Sequence, residues 1–207
     1  MKKCVIFCAG EFTELIEPVG QTEYVIAADG GLEHAKSIGL TVDEVLGDFD
    51  SLGYVPENAQ VFPTEKDDTD CMLAIKKGLE MGCDTFYIYG ALDGKRLDHT
   101  VANYQALYYL AQRGARGYLI GRRQIATALR NGTIVFPPFC VDYLSVFCLG
   151  NDAKGVSISG MKYNLENATL TAGYPLGVSN EFIQKKATVE VTDGTLLLMW
   201  RRRNGVL

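Results

Sequence analysis

The chain has 207 residues, 47% of them hydrophobic and 22% charged, which is typical of a folded globular protein and excludes a disordered one. This length exceeds the usual size of one compact domain but is short for two large ones. The net charge of -5 at pH 7 argues against nucleic acid or an anionic membrane as the main partner.

The first apolar run, CVIFCAG, is too short for a signal peptide and stops before Glu11, so it predicts a buried strand. No segment approaches the ~18 apolar residues of a membrane span. We therefore expect a cytoplasmic protein that does not bind membranes. The six cysteines form no CxxC pair, and the chain has only two histidines, so we expect buried free thiols and no zinc site.

The first part of the chain alternates strands with helices. Short runs rich in Val, Ile, Phe and Tyr predict the strands KCVIFC, EYVIAA, DEVLG, AQVFP, DTFYIYG and GYLIG. Amphipathic segments predict the helices DTDCMLAIKKGLEMG and DHTVANYQALYYLAQRG. This alternation indicates an α/β domain over residues 1–130, with a mostly parallel sheet covered by helices on both faces.

The helical pattern disappears after residue 130. The remaining segments predict antiparallel strands joined by Gly, Asn and Asp turns: NGTIVFPP, VDYLSVFCLG, KGVSISG, ENATLTAG, KATVEVTDG and TLLLMWRRR. We therefore expect a second domain over residues 131–207, a small antiparallel β-sandwich.

Acidic residues follow the strands of the first domain. Ten of the thirteen aspartates lie between Asp29 and Asp98, and most of these ten fall in four loops: ADGG, GDFDS, KDDTD and GALDGKRLDH. The carboxyl ends of parallel strands emerge along one edge of a sheet, where such folds bind ligands. The sequence therefore predicts four acidic loops that converge on one crevice.

Converging carboxylates repel each other unless a cation joins them, and hard oxygen ligands suit Mg²⁺. Asp48 and Asp50 are two residues apart, so both can face one ion at a strand end. Other residues suit the phosphates of a nucleotide: glycines such as Gly30 and Gly31 permit close backbone approach, and Lys66, Lys95 and Arg96 supply positive charge.

Each motif taken alone also has a structural explanation. The ADGG segment can be a turn, Asp68 or Thr69 can cap a helix, and Asp98 can cap the next one. His99 and Asn103 are four residues apart on one helical face, as in a structural hydrogen bond. The joint pattern favours nucleotide and metal chemistry. The sequence contains neither the P-loop motif GxxxxGK[ST] nor a GxGxxG motif after the first strand. We therefore expect neither a P-loop nor a standard dinucleotide site.

Six motifs in this order carry a resemblance to a known family: ADGG, GDFDS, KDDTD, GALDGKRLDHTVAN, GMKYNL and GVSNE. They cover nearly the whole chain, and the series resembles bacterial thiamine pyrophosphokinase. The resemblance implies a kinase-type enzyme that transfers the pyrophosphoryl group of ATP to the hydroxyl of thiamine, with Mg²⁺, and gives thiamine diphosphate and AMP. It also implies a homodimer with shared active sites.

The resemblance assigns roles by motif. Asp48, Asp50, Asp70 and Asp98 would hold Mg²⁺ and the ATP phosphates, and Asp70 is our candidate for the base that accepts the hydroxyl proton. Arg96 and Asn103 would lie beside the ion and the phosphates, and Arg96 would be catalytic together with Asp48, Asp70 and Asp98. We also expect a second group of residues to bind the nucleotide: Asp29, Gly30, Gly31, Ser51 and Lys66. Ser179 and Asn180 would line the thiamine pocket from a turn of the second domain. Tyr163 departs from the family, since some members have Trp there.

Two other interpretations remain open. The same fold and metal site could act on a different alcohol, such as a pterin hydroxymethyl group. Alternatively, the chain could be a nucleotide-sensing module that binds without turnover. The acidic and basic residues of all four loops disfavour the sensing module, because binding alone would not need so many carboxylates.

Overall fold

The computed structural model describes residues 2–50 and 52–202, which form two compact units. The first unit runs through Ala106 and includes Gly117–Arg122. The second takes Leu107–Arg116 and the described chain from Arg123 onward. No helix among the described residues is long and apolar enough to span a membrane.

The first unit is built on a parallel sheet. Its elements are β1 (Lys3–Phe7), β2 (Tyr24–Ala28), α1 (Gly31–Ser37), β3 (Glu44–Gly47), β4 (Gln60–Val61), α2 (Asp70–Glu80), β5 (Thr85–Tyr89), α3 (Leu97–Gln112), which extends into the second unit, and β6 (Arg116–Ile120). The strand order is β6-β5-β1-β2-β3-β4, and β5, β1, β2, β3 and β4 pair in parallel.

The central strands of this sheet are apolar along their whole length. Residues 4–7 of β1 are all at most 1% exposed, because helices cover the strands. α1 packs on β1 and β2, and α2 packs on β1, β2 and β3. Strands buried in this way appear as continuous apolar runs, which is why the sequence predicts them.

The second unit is antiparallel. Its strands are β7 (Gln124–Phe136), β8 (Tyr143–Cys148), β9 (Ala153–Ser159), β10 (Leu165–Leu170), β11 (Gly177–Glu181) and β12 (Ala187–Arg201). β7 and β12 pair along most of their length. The first half of β12 also pairs with β9, and its second half pairs with β8. β10 pairs with β9, and β11 pairs with β8. The antiparallel strands therefore form two groups, β9 with β10 and β8 with β11, which share the long β7–β12 pair.

The long β7–β12 pair changes register between Val191 and Thr195. Gly194 has a φ of +120° there, and its N–H donates a hydrogen bond of 2.9 Å to Oδ1 of Asn131. Glycine tolerates this backbone conformation, and such bulges bend a strand. The sequence predicts two strands, KATVEVTDG and TLLLMWRRR, but this Asp-Gly pair is a bulge inside one strand and not a turn.

The predicted fold class is confirmed: a mostly parallel α/β part is followed by antiparallel strands. The predicted boundary near Asn131 falls within β7. The free thiols are also confirmed, since all six cysteines are unpaired by disulfides. Five of them are buried and Cys148 is partly exposed.

Candidate active site

Three carboxylates meet at the carboxyl ends of two neighbouring strands. Asp29 directly follows β2, and Asp48 and Asp50 follow β3, which pairs with β2 in parallel. One carboxylate oxygen from each residue lies within 4.8 Å of those of the other two. The sequence predicts Asp29 as part of a glycine-rich phosphate cradle. Asp29 also follows β2, the neighbour of β3 in the sheet, and this position was the signal that Asp29 could bind the same cation as Asp48 and Asp50.

The close approach of these two strand ends depends on Gly47. The N–H of Asp29 donates a 2.8 Å hydrogen bond to the carbonyl of Leu46, so the two backbones run side by side. A Cβ on Gly47 would lie 3.1 Å from N and 3.2 Å from Cα of Asp29, and the φ of Gly47 is +149°. A larger residue would push the two acidic loops apart.

The backbone of this acidic cluster is in an uncommon conformation. Asp29 has a φ of +50°, and Phe49, between Asp48 and Asp50, has a φ of +59°. A bulky residue with positive φ is an outlier that the surrounding structure must hold in place. Phe49 is only 3% exposed, so its burial anchors the loop that carries the two carboxylates. Such conformations concentrate at functional sites.

Lys66 joins two of the predicted metal ligands. Its Nζ lies 2.8 Å from Oδ2 of Asp48 and 3.0 Å from Oδ1 of Asp70, and its side chain is 12% exposed. The hydrogen bond from Lys66 holds the pKa of Asp48 below its usual value. Burial raises the pKa of Asp70, and Lys66 offsets this only in part. Burial opposes the charge of Lys66, but the hydrogen bonds to both carboxylates raise its pKa.

Asp70 is the first residue of α2, and it does not cap that helix. The N-cap is Thr69, whose side chain accepts a 3.2 Å hydrogen bond from the N–H of Met72. This confirms one of the two predicted caps. Asp68 instead forms an ion pair of 2.6 Å with Lys76. With Thr69 as the cap, the Asp70 carboxylate is left to pair with Lys66.

The fourth acidic loop lies between β5 and α3. Nη2 of Arg96 donates a 2.6 Å hydrogen bond to Oδ2 of Asp98, and both side chains are mostly exposed. Asp98 is not part of the carboxylate group around Asp29. Asn103 is buried, and its Nδ2 donates a 2.7 Å hydrogen bond to the carbonyl of Ala91. That bond connects the loop to α3. It agrees with the alternative, left open by the sequence, that Asn103 makes a structural hydrogen bond.

The two glycines of the ADGG motif have different positions. Gly31 begins α1, and a Cβ there would lie 2.0 Å from the carbonyl oxygen of Phe7, so packing against β1 requires glycine. Gly30 is the N-cap of the same helix, with a φ of -56° that other residues also adopt. Ser51, also predicted beside the nucleotide, lies outside the described residues.

The candidate thiamine residues lie in the second unit, on β11. The sequence predicts a turn here, but Ser179 and Asn180 are part of a strand paired with β8. The prediction was wrong because Ser179 has a φ of +59° at a register shift, which interrupts the alternation typical of a strand. The N–H of Ser179 donates a 3.1 Å hydrogen bond to Oγ of Ser145.

Asn180 is 6% exposed, and both ends of its side-chain amide contact the backbone of Tyr163. Its Oδ1 accepts a hydrogen bond of 3.0 Å from the Tyr163 N–H, and its Nδ2 donates one of 2.6 Å to the Tyr163 carbonyl. Tyr163 itself is 61% exposed.

A parallel α/β unit with acidic strand ends, followed by an antiparallel unit, is the architecture of a two-part α/β protein whose ligand edge carries carboxylates. Residues 17–119 match the thiamin pyrophosphokinase catalytic domain, and residues 133–196 match the vitamin B1 binding domain of thiamin pyrophosphokinase. The chain is 30% identical over 190 residues to thiamine pyrophosphokinase of Bacillus subtilis, covering 84% of this chain and 85% of that protein. The chain therefore belongs to the thiamine pyrophosphokinase family, a family of transferases, and the resemblance inferred from its motifs is confirmed.

Solved structures of the family have the same fold. The crystal structure of thiamine pyrophosphokinase from Bacillus subtilis superposes with a TM-score of 0.86 at 25% identity, over 98% of this chain and 100% of that one. A thiamin pyrophosphokinase family protein from Enterococcus faecalis gives a TM-score of 0.80 at 25% identity, with the same coverage. Thiamin pyrophosphokinase from Candida albicans, at 16% identity and a TM-score of 0.77 over 97% of this chain and 89% of that one, shares the fold.

Proposed function

We propose that this protein is a thiamine pyrophosphokinase that uses Mg²⁺ and ATP to convert thiamine to thiamine diphosphate, with AMP as the second product. The observation that carries the proposal is the carboxylate group of Asp29, Asp48 and Asp50 at the carboxyl edge of the parallel sheet, in a chain of this family. We also propose that residues 1–130 carry the catalytic site and residues 131–207 bind thiamine, and that the enzyme is cytoplasmic.

The donor set of this edge fits Mg²⁺. Three carboxylate oxygens within 4.8 Å of one another are close enough for one cation to bind them after small side-chain rotations. Mg²⁺ prefers such oxygens and completes its shell with water and phosphate oxygens. Asp29, Asp48 and Asp50 would therefore hold the ion, with Asp70 and Asp98 as the remaining candidates. When bound, Mg²⁺ supplies positive charge to the phosphates that react.

The protein's own side chains orient the reactants. In the proposed reaction the thiamine hydroxyl attacks the β-phosphorus of ATP, and the bond to the α-phosphate breaks. Lys66 and Arg96 place positive charge beside the acidic loops and would bind phosphate oxygens. Much of the rate enhancement of such transfers comes from alignment and charge neutralisation.

Asp70 is the proposed base for the thiamine hydroxyl proton. Burial raises the pKa of Asp70, so its carboxylate binds a proton more strongly than an exposed aspartate does. Its Oδ1 lies 3.0 Å from Nζ of Lys66, and that cation favours the ionised carboxylate and so offsets part of the effect of burial on the pKa of Asp70. The negative charge of this edge also attracts thiamine, which is a cation.

We further propose a homodimer in which each active site takes residues from both chains. The second unit exposes several large apolar side chains on and near β8 and β11, including Tyr143, Leu176 and Val178. A symmetric dimer is the commonest way to cover such a surface.

The experiment that tests the activity uses purified protein with thiamine, ATP and Mg²⁺, and separates the products by chromatography. Thiamine should be consumed, thiamine diphosphate should form, and EDTA should stop the reaction. A hydroxymethylpterin offered in place of thiamine should remain unchanged. Consumption of the pterin and not of thiamine would assign the site to a different alcohol.

A further inference from the structure

We propose that Cys4 and Cys83 form a redox-sensitive pair, which a hydroperoxide converts to a reversible disulfide within the native fold of the first unit. The inference goes beyond the proposed reaction, since the pair lies at the amino edge of the parallel sheet, where the strands begin, and the carboxylates lie at the opposite edge. The juxtaposition that carries it is the contact of two thiols, one on β1 and one in the loop between α2 and β5.

The backbone brings the two cysteines together at the start of two neighbouring strands. Cys4 is the second residue of β1, which pairs with β5 in parallel, and Cys83 lies two residues before β5. The carbonyl of Lys2 accepts hydrogen bonds from the N–H groups of Asp84, at 3.0 Å, and of Thr85, at 3.4 Å. The main chain beside each cysteine is therefore held in place by the sheet.

Gly78, in α2, lies against both cysteines. A Cβ at Gly78 would lie 3.0 Å from Sγ of Cys4. The carbonyl of Gly78 accepts a 3.0 Å hydrogen bond from the N–H of Cys83. Glycine thus lets the helix pack directly on the pair, and the two thiols are hydrogen-bonded to each other, with Cys4 as the donor. Two sulfur atoms in contact on a fixed backbone are what a disulfide requires.

The surroundings favour a thiolate on Cys83. The hydrogen bond from Cys4 lowers the pKa of Cys83, and the positive charge of Lys2 lowers it further. Burial and the carboxylate of Asp84 oppose this shift only in part. The pKa of Cys4 is raised, first by its hydrogen bond to Cys83 and then by its complete burial. Cys83 is therefore the attacking thiol, and Cys4 is the one that completes the disulfide.

The proposed oxidation moves two electrons from the thiols to the peroxide. The Cys83 thiolate attacks one peroxide oxygen, the O–O bond breaks, and Cys83 becomes a sulfenic acid while the leaving oxygen takes up a proton. Sγ of Cys4 then attacks Sγ of Cys83 and loses its proton, the S–S bond forms, and water leaves. With hydrogen peroxide, two thiols and one peroxide give one disulfide and two waters. A dithiol reductant returns both thiols.

Exposure alone would predict a different order of reaction. Cys148 is partly exposed, whereas Cys83 is 4% exposed and directly follows the exposed residues 81 and 82. Sγ of Cys148 donates a 3.1 Å hydrogen bond to the carbonyl of Leu170, and burial raises the pKa of Cys148. We therefore expect Cys148 to react after Cys83.

A second pair of thiols gives an internal comparison. Cys8 directly follows β1, Cys71 is the second residue of α2, and their side chains are hydrogen-bonded to each other. Asp70 precedes Cys71, and its negative charge opposes a thiolate at this pair. This second pair should remain reduced at a peroxide dose that oxidises the pair at the amino edge.

The test is a titration of the whole chain with hydrogen peroxide, followed by alkylation of the remaining thiols and peptide mapping by mass spectrometry without reduction. A crosslink between the peptides of Cys4 and Cys83 should appear first, and dithiothreitol should remove it. The crosslink should raise the melting temperature by about 5 °C or more, because it closes a long loop in the unfolded chain. Cys148→Ser is the matched control and should form the same crosslink, whereas Cys83→Ser should form none.

The inference is overturned if Cys148 is oxidised, or if Cys8 is joined to Cys71, before the bond between Cys4 and Cys83 forms. Oxidation of Cys83 to a sulfinic acid without a crosslink would overturn it as well. A crosslinked protein with an unchanged or lower melting temperature would show that the disulfide does not fit the native fold. All these outcomes are read on the wild type, so they do not depend on whether Cys83→Ser folds.

Discussion

Nζ of Lys66 lies 2.8 Å from Oδ2 of Asp48, so an ammonium group occupies the edge of the carboxylate cluster at the end of β3. The same atom is 3.0 Å from Oδ1 of Asp70, at the start of α2. Two carboxylates from different loops are thus joined by one cation of the chain itself. Lys66 reduces the repulsion of this edge even when no metal ion is bound.

Lys66→Met should therefore destabilise the metal-free protein by about 1–3 kcal/mol, less than the ~3–5 kcal/mol of a fully buried pair, because the partners keep some exposure. Mg²⁺ should restore part of the loss by supplying another cation. The measurement is urea unfolding with EDTA and with Mg²⁺. Lys95→Met removes an exposed charge of the neighbouring motif and is the control. Equal stability of the two variants in EDTA would show that Lys66 has no such role.

Asp29→Asn, Asp48→Asn and Asp50→Asn should each reduce turnover by roughly 10²-fold or more, because each removes charge that holds the phosphates in the transition state. They should also reduce the increase in melting temperature that Mg²⁺ gives the wild type. Asp193→Asn, an exposed change on β12, controls for the loss of one negative charge. Near-normal turnover in two of the three variants would mean that the metal site lies elsewhere.

Asp98→Asn separates function from stability at the fourth loop. The Arg96–Asp98 pair is mostly exposed, and exposed ion pairs contribute little to stability, so the melting temperature should stay near that of the wild type. Turnover should still fall by roughly 10²-fold if Asp98 acts on metal or phosphate. A variant with normal turnover would leave Asp98 as a surface partner of Arg96.

Much of the fold could be predicted because buried parallel strands have a simple sequence pattern. β1 and β5, for example, are short apolar runs. Because the carboxyl ends of parallel strands lie at one edge of the sheet, Asp29, Asp48 and Asp50, which follow predicted strands, are expected on the same side. α1 was missed, since it has only seven residues and begins at Gly31, in a segment typical of turns.

The direction in which each side chain points could not be predicted from the position of its residue at the end of a strand. Asp98 follows a strand just as Asp48 does, yet it pairs with Arg96 in an exposed position. Asn180 was predicted as a ligand residue, but sequence spacing contains no information that it would meet the backbone of Tyr163, seventeen residues earlier. Such contacts depend on the register of the folded strands, which short motifs do not specify.

The proposed dimer with shared sites makes a prediction about mixtures. Asp50→Asn chains and Asn180→Ala chains, each of low activity, should regain activity after subunit exchange, since a mixed dimer rebuilds one intact site. About a quarter of wild-type activity is the statistical expectation. Mass spectrometry of differently tagged chains would verify the exchange. A verified mixture that stays at the activity of its components would mean that each site is built within one chain.

The most direct measurement is ³¹P NMR of one reaction mixture that contains the protein, ATP, thiamine and Mg²⁺. Attack on the β-phosphorus transfers two phosphates together, so AMP and thiamine diphosphate should appear in equal amounts as ATP disappears. No thiamine monophosphate should accumulate on the way. Formation of ADP together with thiamine monophosphate would mean attack on the γ-phosphorus, and would contradict pyrophosphoryl transfer by this protein.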